Sequence, residues 1–500
     1  IFAFILRKLR TRVTDLLGKR ADLRISDRVF GHALRIKNVF KPKSTGTFIS
    51  QIRELDSVRE LLTSTTVTAF ADMPFFLFFC FVFWYLAGSL VWIPIIAVIL
   101  MILPGLLAQK RLHYYANLNM RENSLRNAIL VEAIQGGEDI KLLQAEQRFQ
   151  HQWNNYNTVS ANVNLKLRSL TSNLTNWTNT VQTSTFAVIV LFGAPMVINS
   201  DLSTGSLIAA SILGGRMIAP MAGLTQVLLR WQQAKVALTG LNQLMSLPVD
   251  NPLGEKRVHK PLLNGNYELK NAVFFYGEDA EQPALFVKQL NIKAGERIAI
   301  LGRNGAGKST LLQALSGLLE PRSGSVTIDN ISLSHIDPAD RCRDIGFMSQ
   351  QSTLFHGTIR ENITLGAPVA TDAEIFEALK LSGATEFIQK IPTGLDYVIA
   401  EGGLGLSGGQ RQSLLLARTM IRQPHIILLD EPTASLDDMT EQAFIEQLNK
   451  SLDGKTLIVA THKTSVLRLV NRIVVVSNGQ IVLDEPKDIA LATLSGKKKP

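Results

Sequence analysis

Arg297-Ile-Ala-Ile-Leu301 runs directly into Gly302-Arg-Asn-Gly-Ala-Gly-Lys-Ser309, with Thr310-Leu-Leu-Gln-Ala-Leu behind it. A short apolar run of strand type, a glycine-rich turn and a helical start stand in that order. The turn matches G-x-x-x-x-G-K-[ST], whose glycines let successive backbone N–H groups curl around phosphate oxygens. The helix that follows adds the partial positive charge of its N-terminus. Lys308 is placed to reach the outer phosphates, and the Ser309 hydroxyl to bind a Mg²⁺ ion. With strand, loop and helix in sequence, Gly302, Arg303, Asn304, Gly305, Ala306, Gly307, Lys308, Ser309 and Thr310 form the expected cradle of a nucleoside triphosphate.

Downstream, His425-Ile-Ile-Leu-Leu-Asp430-Glu431 is an apolar strand ending in two carboxylates. Asp430 suits the shell of Mg²⁺, and Glu431 suits a base that polarises an attacking water. Around this pair, short β-rich runs alternate with helical stretches from about Asn266 onward, the pattern of an α/β domain.

The chain before Asn266 differs. From Leu90 to Ala108 no residue is charged, a run about long enough to cross a bilayer. The apolar stretch Ala71 to Leu86 precedes it across a tight turn. Phe186 to Ile198 and Leu207 to Leu229 repeat the arrangement around Asn199 to Gly205, so two membrane hairpins are expected, at about 68–108 and 184–229. Pro74, Pro94 and Pro104 are tolerated in such helices. Both turns lack Lys and Arg, whereas Lys110, Arg111, Lys166, Arg168 and Arg230 sit at the opposite ends. That bias puts the turns outside and the rest in the cytoplasm. Residues 109–165 are polar and helical in character, too long for a loop. They read as membrane helices continued into the cytoplasm and joined near Gly136 to Glu146. The run Ser169 to Thr185, SLTSNLTNWTNTVQTST, is open to two readings: a polar lining within the membrane, or a segment lying below it.

Composition agrees with one membrane part and one soluble part: 46% of the 500 residues are hydrophobic and 19% charged. The net charge of +10 suits cytoplasmic flanks of membrane helices, and no nucleic-acid-binding signature accompanies it. Two cysteines, Cys80 and Cys342, support neither a disulfide framework nor a metal cluster. The opening fragment IFAFILRKLR reads as the tail of a helix that begins upstream. The expected division is a membrane domain over 1–247, a linker over 248–265, a nucleotide-binding domain over 266–496 and a tail over 497–500.

Leu406-Ser407-Gly408-Gly409-Gln410, ahead of the helical run Arg411 to Met420, resembles the signature of the ABC ATPase family. It is again an anion site at a helix N-terminus. In the family Ser407, Gly408, Gly409 and Gln410 would grip the nucleotide of the opposite subunit, so the resemblance implies a head-to-tail homodimer binding ATP and Mg²⁺. Other motifs follow in family order. Tyr276 resembles the aromatic residue that stacks on adenine. Gln350 resembles the glutamine that senses Mg²⁺ and faces the membrane domain. Ser435-Leu436-Asp437 resembles the D-loop, His462 the switch histidine that contacts the γ-phosphate, and Glu401-Gly402-Gly403 the X-loop of exporters. Three positions depart from the family: Ser349 stands for a proline, Gln351 for an acid and Gly402 for an arginine.

The resemblance covers nearly the whole chain and implies an α-helical transmembrane exporter domain followed by a P-loop ABC ATPase domain with a helical subdomain. Lys43-Ser-Thr-Gly46, Arg53-Glu-Leu-Asp56, Asp72-Met-Pro74, Glu138-Asp-Ile-Lys141, Trp231-Gln-Gln-Ala234 and Gly357 to Ile363 resemble bacterial type I secretion ATPases. That subgroup implies a bacterial inner-membrane protein among lipids, a polypeptide cargo, and a periplasmic adaptor with an outer-membrane duct as partners. It also implies that the N-terminal soluble domain and first membrane helices of the subgroup lie outside this sequence. The short elements Val39 to Gln51 and Gly136 to Glu146 would couple the two domains. A lipid or small-molecule exporter of the same architecture is the nearest rival, and a soluble regulatory ABC ATPase the more distant one.

Overall fold

The computed structural model describes residues 1–41, 44–53, 55–56, 58, 64–252, 254–277 and 280–494. Lys43, Glu54 and the tail 497–500 lie outside the described residues. The chain forms two compact units. One comprises Ile1–Ile36 with Lys41–Asp250, the other Lys37–Phe40 with Asn251–Pro500.

The first unit is helical: α1 (Phe2–Arg35), α2 (Thr45–Arg53), α3 (Ser64–Ala87), α4 (Trp92–Leu107), α5 (Gln109–Gln135), α6 (Gly137–Leu142), α7 (Glu146–Ile198) and α8 (Thr204–Met245). Among the described residues, three stretches are long and apolar enough to cross a membrane: Ala71–Leu107, Glu146–Ile198 and Thr204–Met245. The first contains the tight 3₁₀ turn Gly88–Val91 between α3 and α4. Phe83, Met101, Ile189 and Met217 are fully buried where α3, α4, α7 and α8 meet. Phe75, Phe78, Phe81 and Trp84 are exposed on α3, as lipid-facing side chains are. Helix α2 lies so close to α5 that a Cβ on Gly46 would fall 2.4 Å from the Ala128 Cα. Only glycine permits that approach.

One contact fixes the depth of α7 against α4. Pro104 has no N–H, so the Leu100 carbonyl one turn earlier lacks its helical partner. Trp177 Nε1 on α7 donates to it at 2.9 Å, which meets the demand that membrane-embedded backbone groups be satisfied. At one end Ala108 and Leu112 pack on Leu167, with Leu170 and Leu174 beside them. At the other end Leu90 and Ile189 share one core cluster. The uncharged run Leu90 to Ala108 therefore lies alongside α7 from about Leu170 to Ile189.

The second unit carries a ten-stranded sheet in the order β5-β4-β1-β2-β12-β11-β3-β10-β9-β6. Its strands are β1 (Tyr267–Phe274), β2 (Leu285–Ile292), β3 (Arg297–Leu301), β4 (Ser323–Ile328), β5 (Ile331–Ser332), β6 (Ile345–Met348), β9 (Ile426–Asp430), β10 (Thr456–Ala460), β11 (Arg472–Ser477) and β12 (Gln480–Pro486). A separate pair, β7 (Gly357–Thr358) and β8 (Val398–Ile399), is antiparallel. Strands β11, β3, β10, β9 and β6 run parallel. Every residue of β9 and β10 is buried, as expected where helices cover both faces.

Helix α9 (Lys308–Ser316) follows β3, and its Leu311 and Leu315 enter the main core with Ile300 and Leu428. Helix α10 (Pro338–Asp344) precedes β6. On the opposite face, α15 (Asp438–Ser451) buries Phe444 and Leu448 against Ile427 and Val459. A smaller cluster joins α11 (Ile359–Thr364), α12 (Asp372–Leu381) and α13 (Thr385–Gln389) to one side of α14 (Gly408–Met420). Helix α16 (Lys487–Leu494) ends the described chain.

Two stretches contribute more to this unit than their composition suggests. The 248–265 segment is strapped to it: Val258 N donates to the His335 carbonyl (2.8 Å), Lys260 N to Asp340 (2.9 Å) and Leu263 N to Asp344 (2.8 Å). Leu263 itself is fully buried. Val39 also packs against the main core, and Lys37 Nζ contacts Glu320 at 2.6 Å.

Candidate nucleotide site

The loop between β3 and α9 bends tightly enough that Gly302, at φ +156°, passes the Val476 carbonyl where a Cβ would sit 2.2 Å away. Asn304 to Thr310 line a cavity of about 580 Å³ together with Tyr276, Gln350, Glu431 and His462. Lys308 crosses this loop: its Nζ donates to the carbonyls of Gly302 (2.9 Å) and Arg303 (3.3 Å). The ammonium also lies 3.0 Å from His462 Nε2, which in turn lies 3.1 Å from Glu431 Oε1. Lysine, histidine and glutamate thus form one chain of contacts across the cavity.

Tyr276 stands at the rim, about half exposed. Its hydroxyl meets Thr310 Oγ1 at 3.1 Å and donates to Gln313 Oε1 at 3.0 Å, so the ring is held by its polar edge. Asp430 ends β9 buried, hydrogen-bonded to Ser309. Burial pushes its carboxyl above the usual range, opposed by the Ser309 hydroxyl and the Lys308 charge and reinforced by Glu431. Glu431 has a left-handed backbone, φ +49°, uncommon for a bulky residue and a mark of imposed local geometry.

The remaining expected residues sit elsewhere. Ser407 caps α14, accepting from Gln410 N at 3.2 Å while its own N–H donates to Gln410 Oε1 at 2.9 Å. Ser407, Gly408, Gly409 and Gln410 do not line the cavity of their own chain. Gly408 borders a second cavity of about 330 Å³, which Gln350 and Glu431 share. Asp437 caps α15 by accepting from Thr440 N and Oγ1, both at 2.9 Å. Those bonds hold its carboxyl below the usual range.

The chain is similar to known proteins along nearly its whole length. The ABC transporter transmembrane region matches residues 1–221, and the ABC transporter family matches residues 287–434. The exotoxin translocation ATP-binding protein PaxB of Pasteurella aerogenes is 31% identical over 484 residues, 96% of this chain and 68% of that protein. The leukotoxin translocation ATP-binding protein LktB of Mannheimia glucosida has the same identity and coverage. The chain belongs to the ABC transporter family.

The toxin RTX-III translocation ATP-binding protein of Actinobacillus pleuropneumoniae, another relative, is 30% identical over the same length. The fold is also that of a bacterial Atm1-family ABC exporter solved with ATP bound, with a TM-score of 0.88 and 24% identity over 99% of this chain and 86% of that one. This ABC transporter is an exporter in architecture, binds ATP and couples its hydrolysis to transport.

Within this exporter the structure brings forward residues that motif reading passes over. Gln412, buried on α14, donates from Nε2 to the Glu431 carbonyl (2.8 Å) and accepts from Ser435 N (2.8 Å). One amide therefore ties the signature helix to the strained glutamate and to the D-loop. Lys463 holds the same loop from the other side, donating to the carbonyls of Thr433 (2.8 Å) and Leu436 (3.4 Å) and to Glu441 Oε2 (2.8 Å). The only sequence signal for Gln412 is an amide on a helix position that otherwise reads as apolar.

Gln412→Leu keeps most of the volume and removes both bonds, at about 0.5–1.5 kcal/mol each; the Glu431 carbonyl retains the Ala434 N–H at 3.2 Å, while Ser435 N loses its side-chain acceptor. ATPase kinetics are expected to show kcat lowered about tenfold or more, as loss of about 1.4 kcal/mol of positioning implies. The KM for ATP should stay near wild type, because Gln412 does not line the Lys308 cavity. A raised KM at unchanged kcat would assign Gln412 to nucleotide binding instead.

Proposed function

We propose that two copies of this chain form an inner-membrane exporter of polypeptides, the ATP-driven component of a type I secretion system. The observation that carries this reading is 31% identity across 96% of the chain to exotoxin and leukotoxin translocation proteins. Orientation follows the basic flanks, which place the ATPase domain in the cytoplasm. An adaptor and an outer-membrane duct would complete the path.

In the same reading the Tyr276 ring stacks on adenine, and the N–H groups of residues 302–310 hold the phosphates. Lys308 exchanges its loop carbonyls for the β- and γ-phosphates. Ser309, Asp430 and Gln350 would hold Mg²⁺. They fit that ion: it takes one or two carboxylates with phosphate and water oxygens, and the buried Asp430 already pairs with the Ser309 hydroxyl. Among the described residues no larger cluster of acidic, His or Cys ligands competes. When bound, Mg²⁺ neutralises charge that develops on the phosphates. Glu431 orients the attacking water and accepts its proton. His462, in contact with Glu431, faces the γ-phosphate. Ser407, Gly408, Gly409 and Gln410 of one copy close the nucleotide site of the other, with Asp437 beside them.

An apolar cavity of about 580 Å³ between α4 and α7, lined by Ile93, Leu100, Trp177 and Phe192 among others, favours a second reading: export of a lipid or small apolar molecule. Comparing culture medium of strains carrying wild type and Glu431→Gln decides between them. Loss of a specific polypeptide from the medium of the variant strain is the expected result. An unchanged polypeptide profile, with ATPase stimulated by lipid or an apolar drug, would transfer the conclusion to the second reading.

A further inference from the structure

The Ser169 to Thr185 run divides chemically once its hydrogen bonds are traced. Thr171, Thr175, Thr178, Thr180, Thr183 and Thr185 each donate to a carbonyl three or four residues earlier on α7. Their hydroxyls are satisfied within the helix, as membrane helices require. The amides of Asn173, Asn176 and Asn179 have no such resource: all three are exposed, and none has a side-chain partner among the described residues. With Ser169, Ser172, Thr180 and Thr183 they recur at helical i, i+3 and i+4 spacing, so they share one face.

Packing fixes their depth. The Trp177 bond to Leu100 places Asn176 and Asn179 beside the uncharged run Leu90 to Ala108, within the hydrocarbon layer. Ser169 to Asn173 lie near its inner boundary, where Ala108 meets Leu167 and Leu170. Exposed amides at that depth are costly against lipid, and polar groups there face a wet cavity or a partner. The same face carries no charge from Ser169 through Ser184, so it discriminates against neither sign of charge. Each amide offers both a donor and an acceptor, the pair a peptide group presents. The row is about 20 Å long at 1.5 Å per residue, the span of about six residues of extended chain.

We infer that this face of α7 lines the export path and hydrogen-bonds the backbone of an extended polypeptide in transit, independently of its sequence. This rests on the polypeptide reading of the cargo. The probe is the polypeptide lost from the medium when Glu431 is replaced by Gln, fused to a fast-folding domain that arrests it in the full-length exporter in cells. A photo-crosslinking residue is placed singly at Asn176, at Asn179, and at Phe81 on the exposed side of α3.

Adducts with the arrested polypeptide are expected from positions 176 and 179 and not from 81. Adducts with a second copy of the chain alone would show a helix seam, and lipid adducts alone a lipid-facing groove; either overturns the inference. Asn176→Leu with Asn179→Leu, at wild-type membrane levels, is expected to lower polypeptide release about tenfold, from the loss of two hydrogen-bonding groups. Gln at both positions should restore most of it, and failure of Gln to do so would make the role one of packing. Were no polypeptide lost from the medium in the first place, the cargo reading itself would fall and this one with it. Normal release with adducts elsewhere would remove the amide row alone.

Discussion

Replacing Glu431 by Gln is expected to slow ATP hydrolysis by about 10²–10⁴-fold, the usual consequence of removing a general base, while ATP still binds. Gln keeps the volume and most of the hydrogen-bonding capacity at this position, so the cavity walls are preserved. The backbone geometry should also survive. It is imposed from outside the side chain, by the Ala460 carbonyl accepting from Glu431 N at 2.9 Å and by Gln412 donating to the Glu431 carbonyl at 2.8 Å. What is lost is the carboxylate that His462 contacts at 3.1 Å. ATPase rate and retained radiolabelled ATP should be measured on the same purified full-length protein. Near-normal turnover would remove Glu431 from the proposed role and shift attention to Asp430, whose burial already resists ionisation.

The parts of this site visible in the sequence are those whose function is carried by contiguous residues. Eight residues from Gly302 to Ser309 suffice for a phosphate cradle, because loop and helix N-terminus are adjacent in the chain. The α/β character and the long apolar helices were visible for a similar reason: periodicity and uncharged length are local properties. Sheet order is not local. Strand β3 pairs with β10 and β11, more than a hundred residues downstream, and no pattern in Arg297 to Leu301 names those partners. Gln412 and Lys463 were hidden in the same way, since each acquires its role only when α14 and the segment after β10 converge on the D-loop. The 248–265 stretch lacks periodicity, yet its N–H groups are drawn onto Asp340 and Asp344 of α10. For Ser169 to Thr185 the sequence specified a polar helix but not its depth. The missing N–H of Pro104, answered by Trp177, supplies it.

The position of the signature leads to the other large effect. The Ser407–Gln410 cap leaves the N–H groups of Gly408 and Gly409 available for an anion, yet Ser407 to Gln410 do not line the cavity that holds Lys308 in the same chain. If each signature completes the site of a second copy, lesions in different subunits must combine in a predictable way. Lys308→Ala removes the cation that is proposed to hold the phosphates, and Ser407→Arg blocks the signature with bulk. With Lys308→Ala in one subunit and Ser407→Arg in its partner, both lesions fall on a single composite site and the other site is intact. With both substitutions in one subunit, each composite site carries one lesion. The first arrangement is expected to retain ATP hydrolysis, up to about half of wild type where the two sites fire independently. The second is expected to lose about 10²-fold or more, as removal of a transition-state electrostatic contact does. Differently tagged subunits, purified in tandem so that only mixed dimers are assayed, make the comparison direct. Equal rates for the two arrangements would overturn the pairing of Ser407 with the Lys308 site of a second copy. Reversed rates would mean that Ser407 acts on the nucleotide of its own chain, because a signature acting within its own subunit leaves an intact site only when both lesions share one chain; α14 would then have to swing toward Lys308 during the cycle.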